Sequence, residues 1–278
     1  MPQFQPTTQA APERLQQALQ RVLPPKTRPH PEPSPILGQV DLTMVAPVYN
    51  EEENLGALYQ RVVEVFADAL AWELVLVDDG SKDRSASLIR ELSNRDARVR
   101  GVFFTRNCGQ TAAIMAGIRD ARGGLLATLD SDLQNDPGDL LAMLETLGDL
   151  DAVVGYRIKR EDTWLRRVSS KVANGVRNRL SGDQIRDTGC SLKLFRTAAI
   201  RDIALFEGMH RFLPTLLRYH GYQVAEFPVS HHPRLAGTSK YGVWNRVFRS
   251  FRDLIAVRWM RSRIIRLPIQ GAPGSDPR

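Results

Sequence analysis

The sequence predicts an α/β protein built on a mainly parallel sheet with helices on both faces. Three observations predict it. From residue 42 onward, short apolar runs alternate with segments of helical periodicity. The runs are apolar at successive positions, as strands covered on both faces are. Three of them end in polar or acidic clusters, and such sheets bind ligands beyond the carboxyl ends of their strands. The three clusters are therefore expected to converge on one site.

The elements follow in order. Leu42–Val48 reads as a strand that enters a loop through Pro47-Val48-Tyr49-Asn50. Glu51–Leu70 carries Leu55, Leu58, Val62, Val65 and Phe66 at helical spacing. Glu73–Val77 is a second buried strand and ends at Asp78-Asp79-Gly80-Ser81. Ser85–Leu92 is a helix, with Ser81 and Asp83 as candidate caps. Val99–Phe104 is a third strand, Gln110–Ala121 a helix, and Leu125–Leu129 a fourth strand ending at Asp130-Ser131-Asp132. Arg157–Arg186 holds nine basic residues and three acids and reads as a surface helix with flanking loops. Ser191–Phe195 and Val224–Val229 are candidate strands, with a helix over Arg211–Tyr219 between them. Val243–Leu267 is an arginine-studded amphipathic helix or pair of helices.

This divides the 278 residues into a proline-rich tail (1–38), an α/β domain (39–241), a basic amphipathic segment (242–267) and a polar tail (268–278). The net charge is +7, and Lys240–Leu267 alone carries eight basic residues against Asp253. Such a patch attracts phosphate groups or an anionic membrane surface. Cys108 and Cys190 have no metal-ligand spacing and read as reduced thiols. There is no signal-peptide core and no apolar run of the roughly 18 residues a spanning helix needs. The expectation is a cytoplasmic protein, peripheral at the inner face of the membrane.

Chemistry is concentrated in the clusters. Asp130 and Asp132, one residue apart past a buried strand, are costly unless neutralised, and a divalent cation is the usual solution. Alone, an Asp-x-Asp pair equally suits a solvated turn or a helix cap. Asp79 can accept hydrogen bonds from a base or ribose. In the first loop Pro47 stiffens the turn, Tyr49 offers a flat face and Glu51 an acceptor. The adjacent pair His231-His232 points to opposite faces of a strand and is not read as a metal site. No G-x-G-x-x-G follows the first strand, which argues against the dinucleotide-dependent dehydrogenases, and no recognised nucleic-acid motif is present.

The ordered set Pro47-Val48-Tyr49-Asn50-Glu51, Val77-Asp78-Asp79-Gly80-Ser81, Arg106-Asn107-Cys108-Gly109-Gln110, Asp130-Ser131-Asp132-Leu133-Gln134, Asp187-Thr188-Gly189-Cys190 and Arg234–Tyr241 resembles the inverting family-two glycosyltransferases of the Rossmann-like GT-A fold. The later motifs narrow the resemblance to the polyprenyl-phosphate sugar transferases, the group of dolichol-phosphate mannosyltransferase and the undecaprenyl-phosphate enzymes. The resemblance implies a nucleotide-sugar donor, UDP- or GDP-linked, and a polyprenyl-phosphate acceptor. It implies that Pro47, Tyr49, Glu51 and Asp79 hold the nucleotide. Asp130 would face the nucleoside or diphosphate, and Asp132 and Gln134, assisted by Asp130, would bind Mg²⁺ or Mn²⁺. Arg234, Ser239 and Lys240 would grip phosphate around Gly237. Arg211 would bind acceptor or donor phosphate. Asp187 would serve either as a base or as an orienting partner for Arg186 or another cation, because a phosphate acceptor is already an anion.

Trp244, Phe248, Phe251, Ile255 and Trp259 belong to the apolar face of the basic segment. That face suits a bilayer interface and equally suits docking on the domain. The departure from part of the family is the polar tail after residue 267, where many relatives carry spanning helices. The alternative acceptor is a hydroxyl of a glycan or glycolipid, with Asp187 as an indispensable base. A non-catalytic binding module fits less well with an intact Asp130, Asp132 and Gln134. Self-association into a homo-oligomer is left open.

Overall fold

The computed structural model describes residues 40–67, 69–158, 182–183, 185–201, 203, 206–232 and 243–263, with side chains of the last segment from Arg252 onward. Seven strands form one sheet: β1 (Leu42–Val48), β2 (Trp72–Asp78), β3 (Val99–Phe103), β4 (Leu125–Thr128), β5 (Ala152–Arg157), β6 (Lys193–Arg196) and β7 (Val224–Val229). Their spatial order is β3-β2-β1-β4-β6-β5-β7. All neighbouring pairs are parallel except those of β6, which runs antiparallel to both β4 and β5.

Seven α-helices accompany them among the described residues: α1 (Leu55–Phe66), α2 (Ser85–Arg95), α3 (Gln110–Asp120), α4 (Asp139–Leu147), α5 (Thr197–Arg201), α6 (Leu213–Tyr219) and α7 (Val243–Arg261). The side chains of β1 alternate between two cores, as the period of a strand requires. Met44, Ala46 and Val48 join Leu55, Leu58, Val62, Leu140 and Leu144 on one face. Val45 joins Ile114, Ile118, Leu213, Leu217, Leu254 and Val257 on the other. The sheet is thus covered on both sides, which explains its unbroken apolar strands.

Three sequence expectations shift. The first helix begins at Leu55 rather than Glu51, because Glu51–Asn54 forms a turn closed by the Asn54 N–H on the Glu51 carbonyl at 2.9 Å. Helix α4 and strand β5 were not expected; both are short, and β5 is completed only by its neighbours β6 and β7. The basic C-terminal helix is present from Val243 to Arg261. Its Leu254 and Val257 are buried in the second core, while Ile255 and Trp259 are 52% and 61% exposed. Among the described residues no helix is long and apolar enough to cross a membrane. The expected tails at 1–38 and 268–278 lie outside the described residues, as does most of the basic segment 157–186.

Candidate active site

Strand β1 pairs with β4 only as far as Val45 opposite Thr128, and then continues alone on that side to Val48. Pro47, which has no N–H for a ladder, sits in this unpaired stretch while β2 still flanks it on the other side. A crevice therefore opens between the carboxyl ends of β1 and β4. The loops after β1 and β4, which carry Tyr49, Glu51, Asp130 and Asp132, flank it.

The first two loops are stitched together. The Asn50 N–H donates to Ser81 Oγ at 2.9 Å, the Glu51 N–H to Ser85 Oγ at 2.9 Å, and the Lys82 N–H to Asn50 Oδ1 at 2.7 Å. Asp83 does hold the start of α2, accepting from the Ser85 N–H at 2.9 Å. Ser81, expected as a cap for that helix, instead fastens the first loop. Glu51 Oε2 accepts from Asn54 Nδ2 at 2.7 Å, and Tyr49 is half-buried beside it. Asn50 has φ 53°, a left-handed conformation that costs a non-glycine residue roughly 1–2 kcal/mol and is held by these bonds.

Asp79 has a structural duty that the sequence did not reveal. It is buried, and its two oxygens accept the N–H groups of Cys108 at 2.6 Å and Gly109 at 2.9 Å. Burial pushes its carboxyl up, against the pull of those two N–H groups. Gly80, at φ 68°, lets the same loop approach: a Cβ there would lie 2.4 Å from the Arg106 carbonyl carbon. The loop leads into α3, whose Gln110 Nε2 donates to Asp130 Oδ1 at 3.1 Å. Asp79, the Arg106–Gln110 segment and Asp130 are one connected structure.

Asp130 and Asp132 follow β4. Burial, and then the neighbouring Asp132, pushes the Asp130 carboxyl up. Asp132 is buried, with Oδ1 accepting from the Gln134 N–H at 3.2 Å. Leu133 between them has φ 56°. Its side chain packs against the first core. The Gln134 carbonyl accepts the His232 N–H at 2.8 Å. Among the described residues, no three His, Cys, Asp or Glu side chains are gathered into a metal cage. The donor set is two crowded carboxylates and an amide, which fits a hard cation whose shell is completed by substrate phosphate and water. It does not fit a closed structural site.

Opposite this floor lies a second group. Asp187 accepts from Arg157 Nε at 2.7 Å and from Arg157 Nη2 at 3.0 Å, and also from the Gly189 N–H at 3.0 Å. Its partner is therefore Arg157, at the end of β5. Arg186 turns to Glu226 instead, through a backbone bond of 2.7 Å. Lys193, at the start of β6, is buried and donates to the Cys190 carbonyl. Burial pushes its amine down, opposed by Cys190, Asp130 and Asp187. His210 Nδ1 lies 2.7 Å from Thr111 Oγ1 on α3, and Arg211 follows it. Burial, followed by Arg211 and Lys193, pushes the His210 imidazole down to about 3. Arg157, Lys193 and His210 went unnoticed in the sequence. Arg234, Ser239 and Lys240 lie outside the described residues.

A sheet of this order, with a carboxylate motif at the open ends of its central strands, defines the GT-A type of transferase fold. Residues 43–204 match the family model for glycosyl transferase family 2, and the chain belongs to that family. The resemblance read from the motifs is borne out at this level. Dodecaprenyl-phosphate galacturonate synthase of Rhizobium johnstonii is 42% identical over 225 residues, covering 78% of this chain and 66% of that protein. Undecaprenyl-phosphate 4-deoxy-4-formamido-L-arabinose transferase of Edwardsiella ictaluri is 39% identical over 206 residues, covering 73% of this chain and 63% of that protein. The chain thus spans slightly under two thirds of the length of these relatives. Among solved structures, glucosyl-3-phosphoglycerate synthase from Mycobacterium tuberculosis, in complex with Mn²⁺, UDP and glucosyl-3-phosphoglycerate, has a TM-score of 0.63 at 15% identity, covering 96% of this chain and 89% of that one. The mannosyltransferase PcManGT from Pyrobaculum calidifontis, in complex with GDP-Man and Mn²⁺, has a TM-score of 0.57 at 18% identity, covering 93% and 74%. At these identities the likeness is one of fold.

Proposed function

We propose that this chain transfers a sugar from a UDP- or GDP-linked donor to a polyprenyl phosphate at the cytoplasmic face of the membrane, with inversion at the anomeric carbon. The observation that carries the choice of acceptor is the Arg157–Asp187 pair. A hydroxyl acceptor needs a base, and here the candidate base accepts two N–H groups along one edge of a guanidinium, Nε and Nη2, and a backbone N–H. A phosphate acceptor is already an anion and needs cations that position it. Arg157 and Arg211 supply them, and Arg234 and Lys240 follow His232 in the chain. The two polyprenyl-phosphate transferases at 42% and 39% identity support the same acceptor class.

In this reading Tyr49 and Glu51 border the base and ribose, and Asp79 holds the Cys108–Gly109 backbone that walls the nucleotide side. Asp130, Asp132 and Gln134 would hold Mg²⁺ or Mn²⁺, which neutralises charge on the departing diphosphate. Arg157, kept in register by Asp187, orients a phosphate oxygen of the acceptor toward the anomeric carbon. The new carbon–oxygen bond forms on the face opposite the carbon–oxygen bond to the diphosphate, which breaks. Ile255 and Trp259 on α7 face outward beside exposed Arg252 and Arg258, an arrangement suited to an anionic bilayer interface.

The test is nucleotide release from a panel of UDP- and GDP-sugars, with Mn²⁺ or Mg²⁺, with and without a short polyprenyl phosphate. Release that requires the lipid phosphate, and that chelator or Asp132→Ala abolishes with the fold intact, is the expected result. Release with a glycan hydroxyl and none with the lipid phosphate would overturn it.

A further inference from the structure

Lys193 occupies an expensive position. It opens β6, the antiparallel strand between β4 and β5, opposite Thr128 on one side and Val154 on the other. It is only 4% exposed. An ammonium in the middle of a sheet is a poor choice for stability, since desolvation exceeds what ion pairing returns in most buried settings. An apolar residue would pack there without that penalty. The register explains what the lysine reaches. Thr128 is two residues from Asp130, and its own Oγ1 donates to the Ser191 carbonyl at 2.7 Å. Lys193 Nζ donates to the Cys190 carbonyl, in the turn that carries Asp187. Asp130 and Asp187 both act electrostatically on Lys193, and Arg157 opposes them from beyond. By register and hydrogen bond the residue thus links the end of β4, two residues before Asp130, to the Asp187–Cys190 turn.

We propose that Lys193 is a positioning residue whose buried ammonium offsets the carboxylates of Asp130 and Asp187 and ties the Asp187 turn to the floor of the donor site. It does not touch the donor or the acceptor. It sets the local charge so that a nucleoside diphosphate and an acceptor phosphate can approach acids that would otherwise repel them. The inference rests on the donor-site reading above, and extends it to a residue with no solvent-facing role.

The sign of the effect distinguishes this role from simple packing. Removing one positive charge beneath the acidic pair strengthens attraction for a bare cation and weakens attraction for an anion. Lys193→Met removes charge and hydrogen bond together, while Lys193→Gln keeps a donor for the Cys190 carbonyl and removes only the charge. Lys193→Arg keeps the charge. Mn²⁺ binding to the full chain is measured by electron paramagnetic resonance without nucleotide, and UDP and GDP binding by calorimetry with Mn²⁺, alongside thermal melting. In Lys193→Gln, Mn²⁺ is expected to bind about threefold or more tighter and the diphosphate about tenfold weaker. Lys193→Arg is expected to stay within about threefold of wild type for both. Mn²⁺ binding in Lys193→Gln that is equal to or weaker than wild type overturns the proposal, as does an unchanged diphosphate affinity. If Lys193→Met does not fold, the glutamine and arginine variants carry the comparison. The Mn²⁺ measurement needs neither sugar nor lipid, so it judges Lys193 even where polyprenyl phosphate proves not to be the acceptor.

Discussion

Asp187→Asn separates the two tasks a carboxylate can perform at this position. In the wild type one oxygen accepts Arg157 Nε at 2.7 Å and the other accepts Arg157 Nη2 at 3.0 Å and the Gly189 N–H at 3.0 Å. The amide has the same shape but keeps one acceptor oxygen, so one charge-assisted bond to Arg157 is lost. Such bonds contribute about 1.5–3 kcal/mol. The two side chains are 17% and 12% exposed, and solvent screening moves the figure to the lower end, about 1.5–2 kcal/mol. At 1.4 kcal/mol per decade, an orienting role predicts a loss of roughly 10- to 30-fold in kcat/KM, expressed chiefly in the KM for the acceptor. The assay is nucleotide release at saturating donor with the polyprenyl phosphate titrated, repeated across pH. A loss of ~1,000-fold or more confined to kcat, with the acidic limb of the kcat profile gone, would identify a general base and refute the argument.

Three further outcomes follow from the same geometry. Asp79→Ala strands the N–H groups of Cys108 and Gly109, at about 1–3 kcal/mol each, so the urea midpoint falls and donor affinity falls with it; an unchanged midpoint would show that the loop stands without its clamp. His210 stays neutral down to about 3, whereas in the unfolded chain it titrates near 6.5. Below that value only the unfolded state gains the proton, so this group costs the fold up to about 1.4 kcal/mol per pH unit from ~6.5 toward 3 and nothing above. The stability difference between wild type and His210→Gln should therefore change between pH 7 and 5, and parallel pH profiles would contradict it. Ile255→Glu combined with Trp259→Glu should lower co-sedimentation with anionic vesicles at least ~10-fold without lowering the melting temperature, because two exposed side chains lose about 1.5–3 kcal/mol each of interfacial burial; undiminished sedimentation would remove α7 from the membrane reading.

The parts of the molecule legible in the sequence are those where local pattern and chemistry coincide. Leu42–Val48 and Val224–Val229 were bounded correctly because turn signals flank short apolar runs. The carboxylate pair was legible because adjacent acids after a buried strand demand a partner. Lys193 was not, because Leu192-Lys193-Leu194 reads as an ordinary strand of mixed polarity until β6 is placed in the interior of the sheet. Arg157 was hidden for a related reason: its partner is thirty residues away, and among many basic residues nothing local marks the one that pairs. Asp79 was legible as an important acid, but its grip on the Cys108 and Gly109 backbone depends on how two loops meet.

In the proposed reading, the direction of β6 explains how one end of the sheet would serve two anions. The residues proposed for the donor side sit at the carboxyl ends of parallel strands: Tyr49 after β1, Asp79 after β2, Asp130 after β4. Because β6 is antiparallel, its amino end, Lys193, comes to that same end of the sheet, and Asp187 and Cys190 come with it from the chain before it. Strand β5, parallel to β7 and paired with β6, contributes Arg157 from its carboxyl end. Acids without buried counter-charge would suit a metal and resist every phosphate; cations alone would hold phosphate and resist the metal. In the proposed reading, placing Lys193 one strand and Arg157 two strands from the acids would let cation and phosphates bind side by side. A single reversed strand, inserted between β4 and β5, achieves this, which is why the arrangement becomes visible only once the topology is known.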